Sequence, residues 1–212
     1  MIVLSLDTCL AACSAAIIDG PVILGERSEA MSRGHQERIA PMIRELTCDA
    51  MVRFAAIDRI AVTVGPGSFT GLRVGLAFAK GLSAAIDRPC LGVGTLEALA
   101  AGICVPGLLA SVIDAGRGNV FMQVFQTGRS VTPPEVVTLT RAADTLAELR
   151  QTSVELTVVG PGSRLLADRL EGSLRIELAA PSPAAVARLA LGASVEPVAP
   201  LYLRAPDAAP RR

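Results

Sequence analysis

Two copies of one tetrapeptide, Gly65-Pro66-Gly67-Ser68 and Gly160-Pro161-Gly162-Ser163, lie 95 residues apart in the sequence. The first copy follows a β-branched run, Ile60–Val64, that predicts a short buried strand, and it precedes a helix predicted from about Thr70 to Ile86. The second copy follows a similar predicted strand, Leu156–Val159, and also precedes a predicted helix. The tetrapeptide alone could repeat by chance, but its repeated position between a strand and a helix indicates a repeated structural unit.

A strand that ends in an acid precedes each copy of this unit. Ile2–Asp7 and Leu108–Asp114 both read as buried strands ending in aspartate, and each is followed by a turn and a returning strand. We interpret the chain as a tandem duplication of one α/β unit, with an N-terminal lobe of residues 1–105 and a C-terminal lobe of residues 106–212. Two unrelated αβ modules that share a common turn are the alternative.

Two facing lobes of this kind predict a cleft between them. Strand-terminal acids can hold a hydrated cation there, and glycine turns at helix N-termini present backbone N–H groups to phosphate. This is the layout of actin, the sugar kinases and related ATPases. We therefore expect an α/β fold of the actin-like ATPase (ASKHA) class with two RNase H-like lobes. The candidate nucleotide-binding residues are Asp7, Gly65, Gly67, Ser68, Asp114, Gly160 and Gly162.

The same residues also have a purely structural interpretation. Glycine allows a positive φ, proline fixes φ, and serine caps the following helix, so Gly-Pro-Gly-Ser is a sound strand-to-helix turn without any ligand. The aspartates can simply close hairpins. The sequence contains no Gly-Lys-Ser or Gly-Lys-Thr phosphate loop, and no adenosine pocket is evident. We expect ATP or ADP, with Mg²⁺, to bind weakly or not at all.

Composition excludes several classes of function. The chain has 212 residues, 51% hydrophobic and 19% charged, so it can bury substantial cores. Its net charge is zero, whereas a protein that binds nucleic acid through the phosphates usually carries a basic stripe, so any nucleic-acid role is expected to be carried by a partner. The single histidine, His35, excludes a His-rich metal site and an HExxH protease, and its place at a predicted helix start suggests a surface position.

Cysteine usage and the apolar segments favour a cytoplasmic protein that does not enter a membrane. The five cysteines are odd in number and form no CxxC pair, which fits reduced thiols. The apolar N-terminal run has no basic residue before Cys13 and is interrupted by Asp7, which is not typical of a signal peptide. Glycines and prolines divide the apolar segment Cys90–Ile113 into short elements rather than one membrane span.

Hydrophobic periodicity and turn residues predict the remaining elements. Pro41 lies near the start of a helix expected from about His35 to Met51, and we expect it to kink or delay that helix. Further helices are expected over Thr95–Gly102, Arg141–Arg150, Arg164–Leu170 and Pro183–Leu191, and further strands over Ala11–Ile18, Val22–Ala30, Pro89–Val93, Val120–Gln126 and Val131–Thr138.

Several segments, in the right order along nearly the whole chain, resemble the TsaB family, formerly called YeaZ. The most specific is Gly65-Pro66-Gly67-Ser68-Phe69-Thr70-Gly71-Leu72-Arg73-Val74-Gly75. The others are Asp7-Thr8, His35-Gln36-Glu37-Arg38-Ile39-Ala40-Pro41, Gly94-Thr95-Leu96-Glu97-Ala98-Leu99, Ile113-Asp114-Ala115-Gly116-Arg117 and Leu201-Tyr202-Leu203-Arg204.

The resemblance implies a role in tRNA modification. TsaB proteins pair with a catalytic paralogue, TsaD, and with the ATPase TsaE they transfer threonylcarbamoyl to the adenosine beside the tRNA anticodon. TsaD holds a metal with two histidines at i and i+4 of a helix, where this chain has Thr95 and Leu99. Leucine cannot ligate a metal and threonine is a poor substitute for imidazole.

The resemblance therefore implies a non-catalytic scaffold that activates a TsaD homologue, with no metal site and no catalytic residue of its own. Two other functions stay open from the sequence. One is a small actin-fold kinase or ATPase with its own nucleotide site, although 212 residues leave little chain for the insertions that such an enzyme needs. The other is a structural αβ module without a ligand.

The helix after Gly67 is the expected partner surface. Gly71, Gly75, Ala79 and Ser83 recur every four residues and form a stripe without bulk, which would let a second helix approach closely. The full candidate interface is Ile39, Ile43, Leu46, Gly71, Leu72, Gly75, Leu76, Ala79 and Ser83. By family resemblance, this surface would bind TsaD, or a second copy when the protein is alone. The alternative is that the stripe packs on the protein's own sheet.

Overall fold

The computed structural model describes residues 1–150 and 155–204, and its first sheet belongs to the N-terminal half. The strands of this sheet are β1 (Ile2–Asp7), β2 (Ala12–Asp19), β3 (Val22–Ala30), β4 (Arg59–Thr63) and β5 (Cys90–Val93). They lie in the order β3-β2-β1-β4-β5. β2 and β3 extend the sheet antiparallel on one side of β1, and β4 and β5 extend it parallel on the other side.

A second sheet, formed by the C-terminal half, repeats this arrangement. Its strands are β6 (Leu108–Gly116), β7 (Asn119–Gln126), β8 (Arg129–Ser130), β9 (Glu135–Thr138), β10 (Leu156–Val159) and β11 (Leu174–Ile176). The order is β11-β10-β6-β7-β8, with β9 also paired to β7. β7 is antiparallel to β6, while β10 and β11 are parallel to it. The two sheets therefore share one connectivity, and the predicted fold of two similar α/β lobes is confirmed.

Within the described residues, five α-helices cover the sheets and separate them. They are α1 (His35–Asp49), α2 (Phe69–Ile86), α3 (Thr95–Ala101), α4 (Leu139–Arg150) and α5 (Pro183–Leu191). α1 and α2 lie on one face of the first sheet and α5 lies on the other. α3 packs between α5 and the second sheet, and α4 covers the far face of that sheet. The layers therefore run helix, sheet, helix, sheet, helix.

The residues of β1 show why both faces of the first sheet are covered. Leu4 and Leu6 point into the core shared with α1 and α2, and Val3 points into the core shared with α5. Ser5, also on the α5 face, is fully buried, and its hydroxyl donates a hydrogen bond to the Pro183 carbonyl at 2.6 Å. A strand covered on two sides is apolar throughout rather than alternating, which is the pattern of Ile2–Leu6.

The proposed division at residue 105 falls between the two sheets. It also separates α5 from the sheet on which it packs, since Val186, Ala187 and Ala190 share a core with Val3 and Ile18 of the first sheet. The N-terminal lobe therefore receives its inner helix from the C-terminal half of the chain. The division of the chain into residues 1–105 and 106–212 stays a prediction.

The predicted elements differ from the structure mainly in the C-terminal lobe. Of the strand expected over 131–138, only β9 (Glu135–Thr138) forms, because Pro133 and Pro134 cannot donate to a strand ladder. The short strand β8 (Arg129–Ser130) lies before the expected strand. The helix expected at 164–170 is a 3₁₀ segment, Ser163–Arg169, and β11 was not predicted. In the N-terminal lobe, Pro41 lies inside α1 without delaying its start at His35.

Candidate functional site

A cavity of about 610 Å³ lies between the two lobes. The first lobe contributes the turn after β1, the Gly-Pro-Gly-Ser turn before α2, and the start of α1. The second lobe contributes the end of β6 and Pro161, and the C-terminal segment Leu201–Arg204 closes one side. Most of the lining side chains are apolar, including Leu10, Leu72, Ile113 and Phe121.

The structure brings three of the seven predicted cleft residues to this cavity. Gly67, Ser68 and Asp114 line it. The other four, Asp7, Gly65, Gly160 and Gly162, do not contribute to its lining. The predicted cleft therefore exists between the lobes, but its walls are not those that the sequence indicated.

Asp7 is buried beneath the cleft instead of facing it. Its side chain belongs to a residue with no solvent exposure, and its Oδ1 accepts hydrogen bonds from the Thr63 hydroxyl at 2.5 Å and from the Cys9 amide at 3.0 Å. Burial raises the pKa of Asp7, and hydrogen bonds from Thr63 and Cys9 only partly oppose this. Oδ2 has no hydrogen-bond partner among the described residues. The expectation that Asp7 points into the cleft is therefore wrong, and cation binding at Asp7 stays a prediction.

Strand register shows that the two acids are not equivalent. β1 pairs Leu6 with Val62, three residues before Gly65, and β6 pairs Leu109 with Thr157, three residues before Gly160. Asp7 follows Leu6 by one residue, whereas Asp114 follows Leu109 by five. Asp114 therefore lies four residues beyond the position that corresponds to Asp7, on an exposed and irregular end of β6. The acids do not form a symmetric pair of magnesium ligands.

Both Gly-Pro-Gly-Ser turns use their glycines for close packing within one lobe. A Cβ on Gly67 would lie 2.4 Å from the Cys9 carbonyl oxygen, and a Cβ on Gly160 would lie 2.5 Å from the Val112 carbonyl oxygen. The same two carbonyls accept hydrogen bonds from Ser68 N at 2.7 Å and Gly162 N at 3.0 Å, respectively. Such close approaches admit only glycine, so the structural interpretation accounts for the repeated motif. Nucleotide binding stays a prediction.

The burial of Asp7 predicts an unusual pH dependence of stability. The pKa of Asp7 is raised in the folded protein, whereas it is about 3.9 in the unfolded chain. As the pH rises, the unfolded chain therefore loses this proton before the folded protein does. This contribution to stability is present below the unfolded pKa and is lost as the pH rises through the folded pKa. We expect Asp7→Asn, which keeps Oδ1 as an acceptor, to raise the melting temperature near neutral pH by on the order of 2–4 °C.

Melting curves between pH 5 and pH 8 test this expectation. Asp114→Asn is the matched control, because Asp114 is exposed and an asparagine can still accept the hydrogen bond from Gly116 N. The control is expected to follow the wild-type pH dependence, whereas Asp7→Asn is expected to flatten it. Superimposable curves for Asp7→Asn and wild type would contradict the assignment of a raised pKa to Asp7.

Three further residues that the sequence singled out are buried. His35 was expected on the surface, but it is only 9% exposed and lines the cleft at the start of α1. Thr95 and Leu99, at the positions of the TsaD histidines, are fully buried in α3. The Thr95 amide donates to the Gly65 carbonyl at 2.8 Å, which ties α3 to the turn before α2. Thr95 therefore supports the first lobe, whereas Leu99 packs with Ile113 of the second lobe and forms part of the packing between the lobes.

The stripe of small residues on α2 faces the protein's own sheet. A Cβ on Gly71 would lie 2.0 Å from the Thr8 carbonyl oxygen, and one on Gly75 would lie 2.5 Å from Thr8 Oγ1. Because this face is closed, the predicted interface on it is corrected: it is core, with only Ser83 partly exposed. The residues buried here are Ile39, Ile43, Leu46, Gly71, Leu72, Gly75, Leu76 and Ala79.

The opposite face of α2 is apolar and open, and together with α1 it forms the surface that we call the outer groove. A cavity of about 480 Å³ there is lined by Gln36, Ile39, Phe69, Thr70, Arg73, Val74, Ala77 and Phe78. Farther along the helix, Gly81, Ala84 and Ala85 are also exposed, and a Cβ on Gly81 would meet no atom within 4 Å. α2 is long and apolar enough to pass as a membrane span by length and composition alone.

The sequence did contain a signal for this outer face. Ala77, Gly81 and Ala85 are spaced at i, i+4 and i+8 in the same way as Gly71, Gly75 and Ala79, but on the other side of the helix. Arg73 and Lys80, the two cationic residues of α2, are both exposed and mark the outer side. Charge position along the helix, rather than small-residue spacing, distinguishes the two faces.

Comparison with protein families gives a match to the family described as TsaD, tRNA N6-adenosine threonylcarbamoyltransferase, over residues 25–163. An uncharacterized protein of Mycobacterium tuberculosis is 35% identical over 98% of this chain and 94% of its own length. The protein of Escherichia coli called tRNA threonylcarbamoyladenosine biosynthesis protein TsaB is 35% identical over 59% of this chain and 55% of its own length. The alignment thus spans about half the length of that TsaB relative.

Solved structures agree with the sequence comparison. YeaZ from Pseudomonas aeruginosa superposes with a TM-score of 0.80 at 28% identity, over 95% of this chain and 99% of that chain. A ROK hexokinase from Thermus thermophilus superposes with a TM-score of 0.51 at 15% identity, which shows a shared actin-like fold and no more. The whole-chain match to YeaZ, the TsaB relatives and the TsaD family match together show that this chain belongs to the TsaB (YeaZ) family.

Proposed function

We propose that this chain is a non-catalytic subunit of the complex that adds threonylcarbamoyl to the tRNA adenosine next to the anticodon. Its role is to bind a TsaD homologue and to hold it in an active form. The supporting names come from relatives called tRNA threonylcarbamoyladenosine biosynthesis protein TsaB in Escherichia coli and Bacillus subtilis. This chain has the same fold with an open helical face available for a partner.

The observation that carries the non-catalytic part of the proposal is the state of α3. By the family resemblance, Thr95 and Leu99 occupy the positions of the two TsaD histidines, and both are fully buried, with Leu99 packed against Ile113 of the second lobe. Neither side chain offers an imidazole nitrogen, and burial leaves no room for a metal and a substrate around them. Among the described residues, no group of three or more His, Cys, Asp or Glu side chains is placed to hold a metal.

The outer groove on α1 and α2 is the proposed docking surface for TsaD. It replaces the buried face that the sequence indicated, and it offers apolar contact from Val74, Ala77 and Phe78 with charge only at Arg73 and Lys80. The small exposed residues Gly81 and Ala85 let a partner helix approach the α2 backbone. Apolar groups with few charges are the composition of interface cores.

The other parts of the proposal follow from the TsaB role. A TsaE homologue joins the complex, tRNA contacts the assembly rather than this near-neutral chain alone, and the complex acts in the cytoplasm. In the absence of TsaD, the outer groove can pair two copies of this chain. We propose that α2 packs against protein at this groove rather than crossing a membrane, because the inner face of α2 already packs on the first sheet.

A reconstituted transfer assay tests the function. Purified chain, tRNA and threonylcarbamoyl-adenylate are combined with and without the TsaD homologue, and modified adenosine is measured. We expect no product from this chain alone, and more product from TsaD with this chain than from TsaD alone. Product from this chain without TsaD, or ATP turnover by the isolated chain, would contradict the non-catalytic role and favour the kinase or ATPase alternative.

A further inference from the structure

The C-terminal segment Leu201–Arg204, which we call the strap, crosses the cleft and contacts both lobes. On the first lobe, the Leu201 amide donates a hydrogen bond to the Val64 carbonyl at 2.7 Å. On the second lobe, Arg204 Nη1 donates to the Ala115 carbonyl at 2.9 Å. All four strap residues line the interlobe cavity. The strap therefore joins the end of β4 to the end of β6 across the space between them.

The fit of the strap on the first lobe depends on a glycine. Gly65 has φ of +103°, and a Cβ there would lie 3.0 Å from the Leu201 carbonyl oxygen and 2.7 Å from a methyl carbon of Leu72. Val198, just before the strap, packs on the core of the first lobe and lies against Gly92. The absence of side chains at Gly65 and Gly92 therefore lets this segment pack closely on the first lobe.

Tyr202 connects the strap to the outer groove. Its ring lies 5.5 Å from the ring of Phe69, centroid to centroid, and its hydroxyl accepts a hydrogen bond from Arg73 Nε at 3.4 Å. The Arg73 guanidinium lies over the Phe69 ring, with its central carbon 3.7 Å from the centroid. Phe69 lines both the interlobe cavity and the outer groove, and Arg73 lines the groove. The three side chains form one cluster between the two sites.

We infer that the strap couples the interlobe cleft to partner binding at the outer groove. The seated strap holds Tyr202 against Phe69 and Arg73, and so fixes two side chains that a partner helix must contact. A partner that meets these side chains already ordered loses less conformational entropy on binding. In return, a bound partner that holds Phe69 and Arg73 in place stabilises the seated strap, because coupling between two sites is reciprocal. This inference rests on the proposed docking of TsaD at the groove.

Substitutions at two strap residues separate the two ends of this coupling. Tyr202→Ala removes the ring from the cluster, while Tyr202→Phe keeps the ring and removes only the long hydrogen bond to Arg73. Arg204→Ala removes the tie to Ala115, and Arg204→Lys keeps a cationic donor there. We expect Tyr202→Ala and Arg204→Ala to weaken TsaD binding by on the order of fivefold, at the lower end of typical couplings. The conservative variants are expected to stay near wild type.

Hydrogen exchange followed by mass spectrometry measures the tie between the lobes in the free chain, and the response of the strap to TsaD is the readout that a purely structural role would not move. In the full chain alone, Arg204→Ala is expected to speed exchange in the strap and in the turn after β6, and Arg129→Ala on exposed β8 is the control. Adding TsaD to the wild-type chain is expected to slow exchange of the Leu201 amide, although that amide belongs to the strap and lies outside the groove.

The outcomes distinguish the coupling from the function on which it rests. If wild-type chain binds TsaD, but the alanine variants bind equally well and strap exchange does not respond to TsaD, the coupling is overturned and the proposed function stands. If wild-type chain does not bind TsaD at all, the proposed function fails and the coupling fails with it. Unchanged exchange in partner-free Arg204→Ala would overturn the tie between lobes in either case.

Discussion

Gly75→Arg is expected to prevent the protein from folding. The residue is buried where α2 crosses the first sheet, and a Cβ there would lie 2.5 Å from Thr8 Oγ1 and 3.5 Å from side-chain carbons of Leu6 and Val62. An arginine would therefore push α2 off the sheet and also bury a charge with no partner. Burying an uncompensated charge costs about 3–5 kcal/mol before any steric cost, against a total stability of about 5–15 kcal/mol for a typical domain.

Gly81→Arg is the matched control for this prediction. It adds the same side chain to the same helix, but a Cβ on Gly81 would meet no atom within 4 Å, so the arginine can extend into solvent. Circular-dichroism melting of both purified variants gives the comparison, with soluble yield as a second measure. We expect Gly81→Arg to melt within a few degrees of wild type and Gly75→Arg to be insoluble or unfolded. A wild-type melt for Gly75→Arg would mean that the inner face of α2 is not packed as described.

Much of the fold could be predicted because its signals are local. β1 and the start of α1 lie where the pattern of apolar residues placed them, and the repeated Gly-Pro-Gly-Ser motif indicated the two lobes. Each copy of the motif follows a strand that is parallel to the first strand of its sheet, and the two sheets have the same strand order. The errors fall where local signals are weak, as in β8 and β9, whose separation depends on Pro133 and Pro134.

The candidate cleft could be predicted in position but not in composition. Asp7 and Asp114 both end strands, and nothing local in the sequence indicates that one is buried under a hydrogen-bonded Thr63 while the other lies on an irregular strand end. The difference follows from strand register, which depends on pairing between distant segments. The strap was recognisable as a family segment, but its seat across both lobes depends on tertiary contacts to Val64 and Ala115.

The partner face shows a different kind of limit. A helix that packs on its own sheet with one face and on a partner with the other carries small, apolar residues on both faces. Periodicity alone therefore predicts two stripes of small residues and does not indicate which stripe faces the sheet. Hydrophobic spacing selected the Gly71–Gly75–Ala79 stripe, which the structure places on the sheet. The exposed cations Arg73 and Lys80 carry the missing information, because an unpaired charge is excluded from a sheet-facing position.

Ala77→Arg and Gly81→Arg are expected to abolish binding of the TsaD homologue while leaving this protein folded. Both positions are exposed on the outer face of α2, and Ala77 lines the outer groove. In the free protein the new arginine is solvated, so folding is unaffected. In the complex it would be buried against an apolar partner helix, where an unpaired charge at the centre of an interface costs about 2–4 kcal/mol, or roughly 30-fold to 1,000-fold in affinity.

Gly192→Arg supplies the control for charge alone, because Gly192 is exposed at the end of α5, contributes nothing to the outer groove, and has no atom within 4 Å of an added Cβ. Calorimetric titration with the TsaD homologue, together with size-exclusion chromatography of each variant alone, measures both pairings that we propose for the groove. We expect Gly192→Arg to bind TsaD as wild type does, and Ala77→Arg and Gly81→Arg to lose both TsaD binding and any self-association. If the two groove variants bind TsaD with wild-type affinity, the partner must dock elsewhere, since no helix could pack on this face with an arginine at its centre.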